Sequence, residues 1–411
     1  MAITGVGVVA PNGIGRDAFW QANVEGRSGI DAITSFDVSR MDSKIAGQVK
    51  GLDPRDYMPF EVAKRTDRFV HLGLSAARMA IEDSGLNLAG EDKERIGVVI
   101  GSGLGGSLFH EEQIAAALEK GTHRINPMSV PRISPNAVSS HIAIQFGLLG
   151  PNYVVSAACA SGAIGVGEAF RRVQYGETDV CVTGGAEAPV TNFNFGAYCS
   201  LRVLSKKRNE APQEASRPFD NERDGFVMSE GAGMLILEEM GRARERGAHV
   251  YAEVAGYATA SGAHHMVIPE ADGLDAARAM HLALRDAGLR PREIDYINAH
   301  GTSTEANDKA ETRAIKEVFG EDAQRVPISA TKSMIGHTIG AAGAIEALVC
   351  ALALEHGVIP PTINYQHRDP DCDLDYVPNQ ARTATLRAVL SNSFGFGSCN
   401  TCLVLVKPEA E

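Results

Sequence analysis

Short apolar runs alternate along the chain with longer stretches in which apolar residues return every three or four positions. The runs predict buried strands at Ala2–Val9, Ile96–Ile100, Tyr153–Ser156, Val180–Thr183, Gly233–Leu237, Tyr251–Tyr257, Tyr296–Ala299, Ala388–Ser393 and Cys402–Lys407. The longer stretches predict helices at Phe60–Ser84, Phe109–Lys120, Gly162–Tyr175, Leu274–Ala287, Lys309–Phe319 and Ala341–His356. In the first of these, Val62, Phe69, Leu72, Ala76 and Met79 fall on one face. Such alternation predicts a layered α/β protein.

The pattern also repeats within the chain. Val155-Ser156-Ala157 leads into Cys159-Ala160-Ser161-Gly162-Ala163 and a helix rich in small residues. Ile328-Ser329-Ala330 leads into His337-Thr338-Ile339-Gly340-Ala341 and another such helix. In both, the reactive residue stands three positions before a Gly-Ala pair, about where the helix begins. These repeats predict two halves, residues 1–245 and 246–411, divided in the charged stretch Glu238–Gly247. No low-complexity linker separates them, so they are expected to pack as one unit.

Composition narrows the class. A chain of 411 residues with 44% hydrophobic and 22% charged residues can bury a large core. The net charge of −12 argues against a general nucleic-acid binder, which needs a basic face. Seven scattered cysteines predict a reduced, cytoplasmic protein without a disulfide framework. Ala2–Ala10 is too short to span a bilayer, and no other segment reads as a span, so no membrane association is expected.

The candidate chemistry lies in three turns of small residues, around Cys159, His300 and His337. Small neighbours leave these side chains room to face a substrate. One thiol and two imidazoles suffice for carbon–carbon bond formation on thioester-bound acyl groups. A helix N-terminus is expected to lower the pKa of Cys159 and to keep His337 neutral, able to donate to a developing anion. Lys332 lies between apolar Ile328 and Met334 and needs a carboxylate, for which Glu311 or Asp308 is available. Glycine-flanked N–H groups in Asn392-Ser393-Phe394-Gly395-Phe396-Gly397 can face an oxyanion.

Rival motifs are weaker. Gly5-Val6-Gly7 and Gly101-Ser102-Gly103-Leu104-Gly105-Gly106 imitate dinucleotide-binding loops of an oxidoreductase, without the following helix or the ribose-binding acid. Cys399-Asn400-Thr401-Cys402 has redox spacing but runs into a strand. A zinc site from Cys159, His300 and His337 lacks paired-ligand spacing.

From Ile3 to about Val406 the chain resembles the elongating β-ketoacyl-(acyl carrier protein) synthases of the thiolase superfamily. The resemblance rests on Ser156–Gly162, Ser216-Arg217-Pro218-Phe219-Asp220, Arg223-Asp224-Gly225-Phe226, His300–Thr304, Lys332–His337 and Asn392–Gly397. It implies a duplicated α-β-α-β-α thiolase fold, a two-fold dimer, and decarboxylative condensation of malonyl units onto an acyl chain carried by Cys159. By similarity His300 and His337 assist decarboxylation, Lys332 and Glu311 form a supporting ion pair, and Phe396 gates the site and supplies an oxyanion N–H beside that of Cys159. Thr302 and Thr304 match phosphopantetheine contacts; Leu104 and Tyr198, with Phe193 and Phe195 more loosely, match the acyl pocket. No metal or bound organic cofactor is implied, because the phosphopantetheine arm belongs to the acyl carrier protein.

Relatives differ at single positions. Chain-initiating and plant-type synthases carry Asn where this chain has His337, degradative thiolases carry a second cysteine, and chain-length factors, non-catalytic partner subunits, lack the nucleophile. Glu305-Ala306-Asn307-Asp308 replaces the Pro-x-Gly-Asp of housekeeping fatty-acid enzymes, and its Asn-Asp pair also occurs in type II polyketide ketosynthases. Ser398-Cys399-Asn400 replaces Gly-Thr-Asn, and Val267-Ile268 stands where a Thr is frequent. The balance leans to polyketide synthesis, with fatty-acid elongation the alternative, as a homodimer or beside a chain-length-factor paralogue. An acidic carrier protein meeting an acidic chain needs a local basic patch, for which Lys64, Arg65, Arg68, Arg202, Lys206, Lys207 and Arg208 are candidates.

Overall fold

The computed structural model describes residues 1–409. Its main sheet comprises β1 (Ala2–Ala10), β2 (Ile96–Gly101), β3 (Asn152–Val155), β4 (Val180–Glu187), β5 (Gly231–Glu238), β6 (Ala252–Ser261), β7 (Tyr296–Asn298), β8 (Ile328–Ser329), β9 (Ala388–Gly395) and β10 (Cys399–Val406). The short strand Gly13–Ile14 hairpins onto β1. Five helices matter to the site: α1 (Arg68–Asp83), α2 (Ser161–Gln174), α3 (Leu274–Ala287), α4 (Glu305–Phe319) and α5 (Ala342–His356).

The strand order is β3-β2-β4-β5-β1 followed by β6-β10-β9-β7-β8. Each run of five has the same pattern. β3, β2 and β4 are parallel, as are β8, β7 and β9, and the remaining two strands of each run are antiparallel. The runs join only where Ala2 and Ile3 pair with Glu253 and Ala252. α2 and α5 pack together between the runs, α1 covers the outside of the first and α3 the outside of the second, giving α-β-α-β-α layering.

The central helices touch at glycines. A Cβ on Gly162 would lie 2.8 Å from the Ala344 nitrogen, and one on Gly343 would lie 2.8 Å from the Ala163 nitrogen. Their backbones therefore approach as closely as atoms allow, which sets the two helix starts side by side. α5 is apolar on nearly every face because it is enclosed on every face. The stretch Ile339–His356 is thus long and apolar enough to cross a membrane, contrary to the sequence-based expectation, yet it lies in the molecular interior.

Several boundaries depart from expectation. The helix predicted over Phe60–Ser84 is two helices, Phe60–Arg65 and α1. Thr66 is extended, and the buried Asp67 carboxylate caps α1 while also accepting from the Phe109 N–H at 2.8 Å. Arg16–Val24, Ala137–Phe146 and Asn192–Ser200 are further helices that periodicity alone did not reveal. The nucleotide-like glycines have packing roles instead. Cβ atoms on Gly5 and Gly7 would strike the Ala80 and Ala76 carbonyls of α1 at 2.2 and 2.0 Å. Cys399 and Cys402 are both free thiols, and their spacing along β10 turns them to opposite faces.

Candidate active site

Cys159 stands in the turn between β3 and α2. Ala158 adopts φ 48°, a left-handed conformation that throws the next side chain out of the strand direction. The Ser161 hydroxyl holds this kink, accepting from the Ala157 N–H at 2.8 Å and donating to the Ala158 carbonyl at 2.7 Å. His300 follows β7, and the loop after it has positive φ at Gly301 and Ser303. The Glu311 carboxylate on α4 pins that loop, accepting from the His300 and Gly301 N–H groups at 2.8 Å each and from Asn392 at 3.1 Å. His337 is fixed through its backbone: its N–H donates to the Val227 carbonyl at 2.7 Å, and its carbonyl accepts from Ser229 at 2.9 Å.

These three side chains line one cavity, with Tyr198, Val203, Phe226, Phe394 and Phe396 among its other walls. The His300 and His337 rings meet edge to face at 5.5 Å, Phe226 packs on His337 at 5.1 Å, and Phe394 on His300 at 5.5 Å. Thr302 and Thr304 also reach the cavity, their hydroxyls 2.9 Å apart.

The supporting charges are arranged differently from expectation. Lys332 is 1% exposed and pairs with Glu346 of α5, not with Glu311 or Asp308. Its ammonium also donates to the His300 carbonyl at 2.7 Å and faces His300 Nδ1 at 3.4 Å. An ammonium only donates, so this contact makes Nδ1 an acceptor and leaves the ring proton on Nε2. Glu311 instead organises backbone, and Asp308 accepts from Phe219 and Ser303 beside Arg223. Glu346 had one signal in the sequence, a lone carboxylate in an apolar helix. Glu187 had less. It is wholly buried and accepts from Ser102, Gly103, Leu104 and Gly340, tying the β2 loop to the His337 turn. Those loop N–H groups are therefore occupied rather than free to cradle a phosphate.

Electrostatics follow burial. The Cys159 thiol, 6% exposed, is pushed up to about 12 by desolvation, with Lys332 and the N–H groups of Phe396 and Cys159 opposing. The expected lowering at the helix start is outweighed, because burial penalises a thiolate more than a helix end rewards it. Both histidines are held well below the usual imidazole value, first by burial and then by the Lys332 charge. They are neutral for that reason rather than from the helix end. Burial raises Glu187, Glu311 and Glu346 to about 7.

Comparison with known proteins identifies the family. Family models for the beta-ketoacyl synthase N-terminal and C-terminal domains match residues 1–243 and 251–366. The chain belongs to the beta-ketoacyl synthase family. It is 45% identical to the 3-oxoacyl-[acyl-carrier-protein] synthase 2 of Synechocystis, over 99% of this chain and 98% of that protein. It is 42% identical to the synthase of the same name from Coxiella burnetii, over 98% of each. Among solved structures, the ishigamide ketosynthase/chain length factor matches with TM-score 0.93 at 37% identity. A type II polyketide ketosynthase bound to a hexaketide and complexed with its acyl-carrier protein matches with TM-score 0.91 at 36% identity. Both cover 99% of each chain, so the protein has the thiolase fold of these synthases.

The outer predictions divide. Of the four pocket candidates, Tyr198 lies on the cavity wall. Phe193 is 72% exposed, and Phe195 is buried behind the wall against Phe36. Leu104 is half-buried, and what it contributes is an N–H to Glu187. Of the basic candidates, Arg68 is bound to Glu230 and Arg208 to Glu222, Lys206 reaches Asp42, and Arg65 lies 3.5 Å from Glu61. Lys64, Arg202 and Lys207 are exposed and form no ion pair among the described residues. Val203, next to Arg202, lines the cavity.

Proposed function

We propose that this synthase condenses malonyl-acyl carrier protein with an acyl chain held on Cys159, releasing carbon dioxide and adding two carbons. The convergence of one thiol and two neutral imidazoles on a single cavity carries this reading. Cys159 Sγ attacks an acyl thioester, and its proton passes to the departing phosphopantetheine sulfur. The N–H groups of Cys159 and Phe396 hold the oxyanion. When the malonyl thioester follows, His300 Nε2–H and His337 donate to its carbonyl oxygen. The pair of electrons freed as carbon dioxide leaves is then held as an enolate. That carbon attacks the acyl-cysteine carbonyl, and collapse returns the thiolate of Cys159, which regains a proton.

Lys332 acts as a positioning group that sets the His300 tautomer, with Glu346 as its counter-charge. Glu311 positions the His300 backbone. Thr302 and Thr304 bind the phosphopantetheine arm carried by the acyl carrier protein, and Phe396 gates the tunnel. Carrier docking falls to the unpaired cations Lys64, Arg202 and Lys207. The two halves, 1–245 and 246–411, work as one cytoplasmic unit, paired with a second copy or with a chain-length-factor-like paralogue. Type II polyketide synthesis is the pathway we favour. Fatty-acid elongation is the second reading, supported by the higher identity to the 3-oxoacyl synthases.

Intact-mass measurement after incubation with acyl carrier proteins tests the proposal. One acyl adduct on the wild type, and none on Cys159→Ala, is expected. An adduct of equal yield on the variant would overturn it.

A further inference from the structure

Tyr198 sits on the helix Asn192–Ser200, and its ring lines the cavity that holds Cys159. The ring packs edge to face on Phe226 at 5.8 Å. Tyr198 packs against an apolar cluster that includes Leu204, Met228, Phe195 and Cys159. Its hydroxyl has no hydrogen-bond partner among the described residues. Burial, first of all, raises its pKa above the ordinary tyrosine value.

A phenol needs the polar end only where something polar meets it. Before an acyl chain binds, water satisfies the hydroxyl. A saturated acyl chain displaces that water and returns nothing, leaving a desolvated donor unpaired. An acyl chain with an oxygen near the thioester restores the bond.

We propose that the Tyr198 hydroxyl reads a keto or hydroxyl oxygen on the first carbons of the Cys159-bound chain, selecting oxygenated acyl groups over saturated ones. The inference rests on the condensing reading above and specifies its substrate class. Sites built to pair a substrate oxygen discriminate strongly against analogues lacking it.

The test compares hexanoyl-, 3-hydroxyhexanoyl- and 3-oxohexanoyl-pantetheine as acyl donors to wild type and Tyr198→Phe, following the Cys159 adduct by intact mass. The wild type should load at least one oxygenated thioester about tenfold faster than hexanoyl, a ratio expected for one hydrogen bond. In Tyr198→Phe the ratio should fall to within about twofold of one, through loss on the oxygenated donor. A ratio that survives the substitution, or equal slowing of all three donors, would overturn the assignment and leave the condensing reading intact. No loading of the wild type by any donor would remove both.

Discussion

The starts of α2 and α5 invite comparison, because matched frames deliver unlike chemistry there. In the first half Cys159 stands two residues before its helix, with the left-handed residue, Ala158, just ahead of it. In the second half a 3-10 turn, Ile339–Ala341, separates His337 from α5, and the left-handed residue, Ile339, comes after the histidine. The offset lets a thiol and an imidazole enter one cavity from adjacent helices without occupying the same place. Nine residues beyond each reactive position stands a glutamate. Glu346 is fully buried and neutralises Lys332, whereas Glu168 is half-buried and accepts from the Tyr257 hydroxyl at 3.3 Å. The second half holds the buried ion pair and the first half holds the thiol. The two halves share a frame and differ at a few positions.

The sharpest way to break this comparison is to remove the deeper glutamate. Glu346→Ala leaves the Lys332 ammonium buried and unpaired, and should cost about 3–5 kcal/mol in urea unfolding. His337→Ala should lower carbon dioxide release from malonyl-carrier about 10²–10³-fold, the scale of losing one donor to a developing oxyanion. Acylation of Cys159, measured by intact mass, should persist in that variant. Equal loss of both steps would mean that the two helix starts do not divide the work.

Separating the helices tests why they meet. Gly162→Val places atoms against the Ala344 backbone and should cost about 1–3 kcal/mol, seen as a lower urea midpoint with an unchanged slope. The titration of the histidine half has a definite sign. Their folded pKa values lie below the ordinary 6.5, so the unfolded chain binds protons first and stability is lost as pH falls below 6.5. His337→Asn, which cannot titrate, should flatten that fall in unfolding measured from pH 7 to pH 5. An unchanged slope would show that His337 is accessible to protons in the folded state. Least is expected of Glu168→Gln, below about 1 kcal/mol, because its site is partly open to water. A cost matching that of Glu346→Ala would erase the asymmetry between the halves.

Much of this was legible beforehand, and for local reasons. Apolar runs become strands wherever both faces are covered, so nine strands appeared near their observed places, with ends shifted by a few residues. Cys159, His300 and His337 stood out because glycine and alanine surround them, and such turns are visible in sequence. The helix break at Thr66 was not, since Asp67 caps α1 while also bonding Phe109, more than forty residues away. The partner of Lys332 was misassigned for a similar cause. Glu311 and Glu346 are both carboxylates on helices after a reactive histidine, and only the crossing of α5 behind His300 decides between them. Arg68 read as a free surface cation until its Glu230 partner was in place.

The sequence by itself determined most of the elements, the duplication and the candidate reactive residues at strand-to-helix turns, because periodicity and backbone freedom are properties of neighbouring residues. Only the tertiary structure decided which carboxylate neutralises Lys332, why the thiol rests protonated and the imidazoles neutral, and which side chains face the cavity. Those depend on desolvation and on distances between residues far apart in the chain, which fall steeply with separation and are set when α2 and α5 close on their glycines.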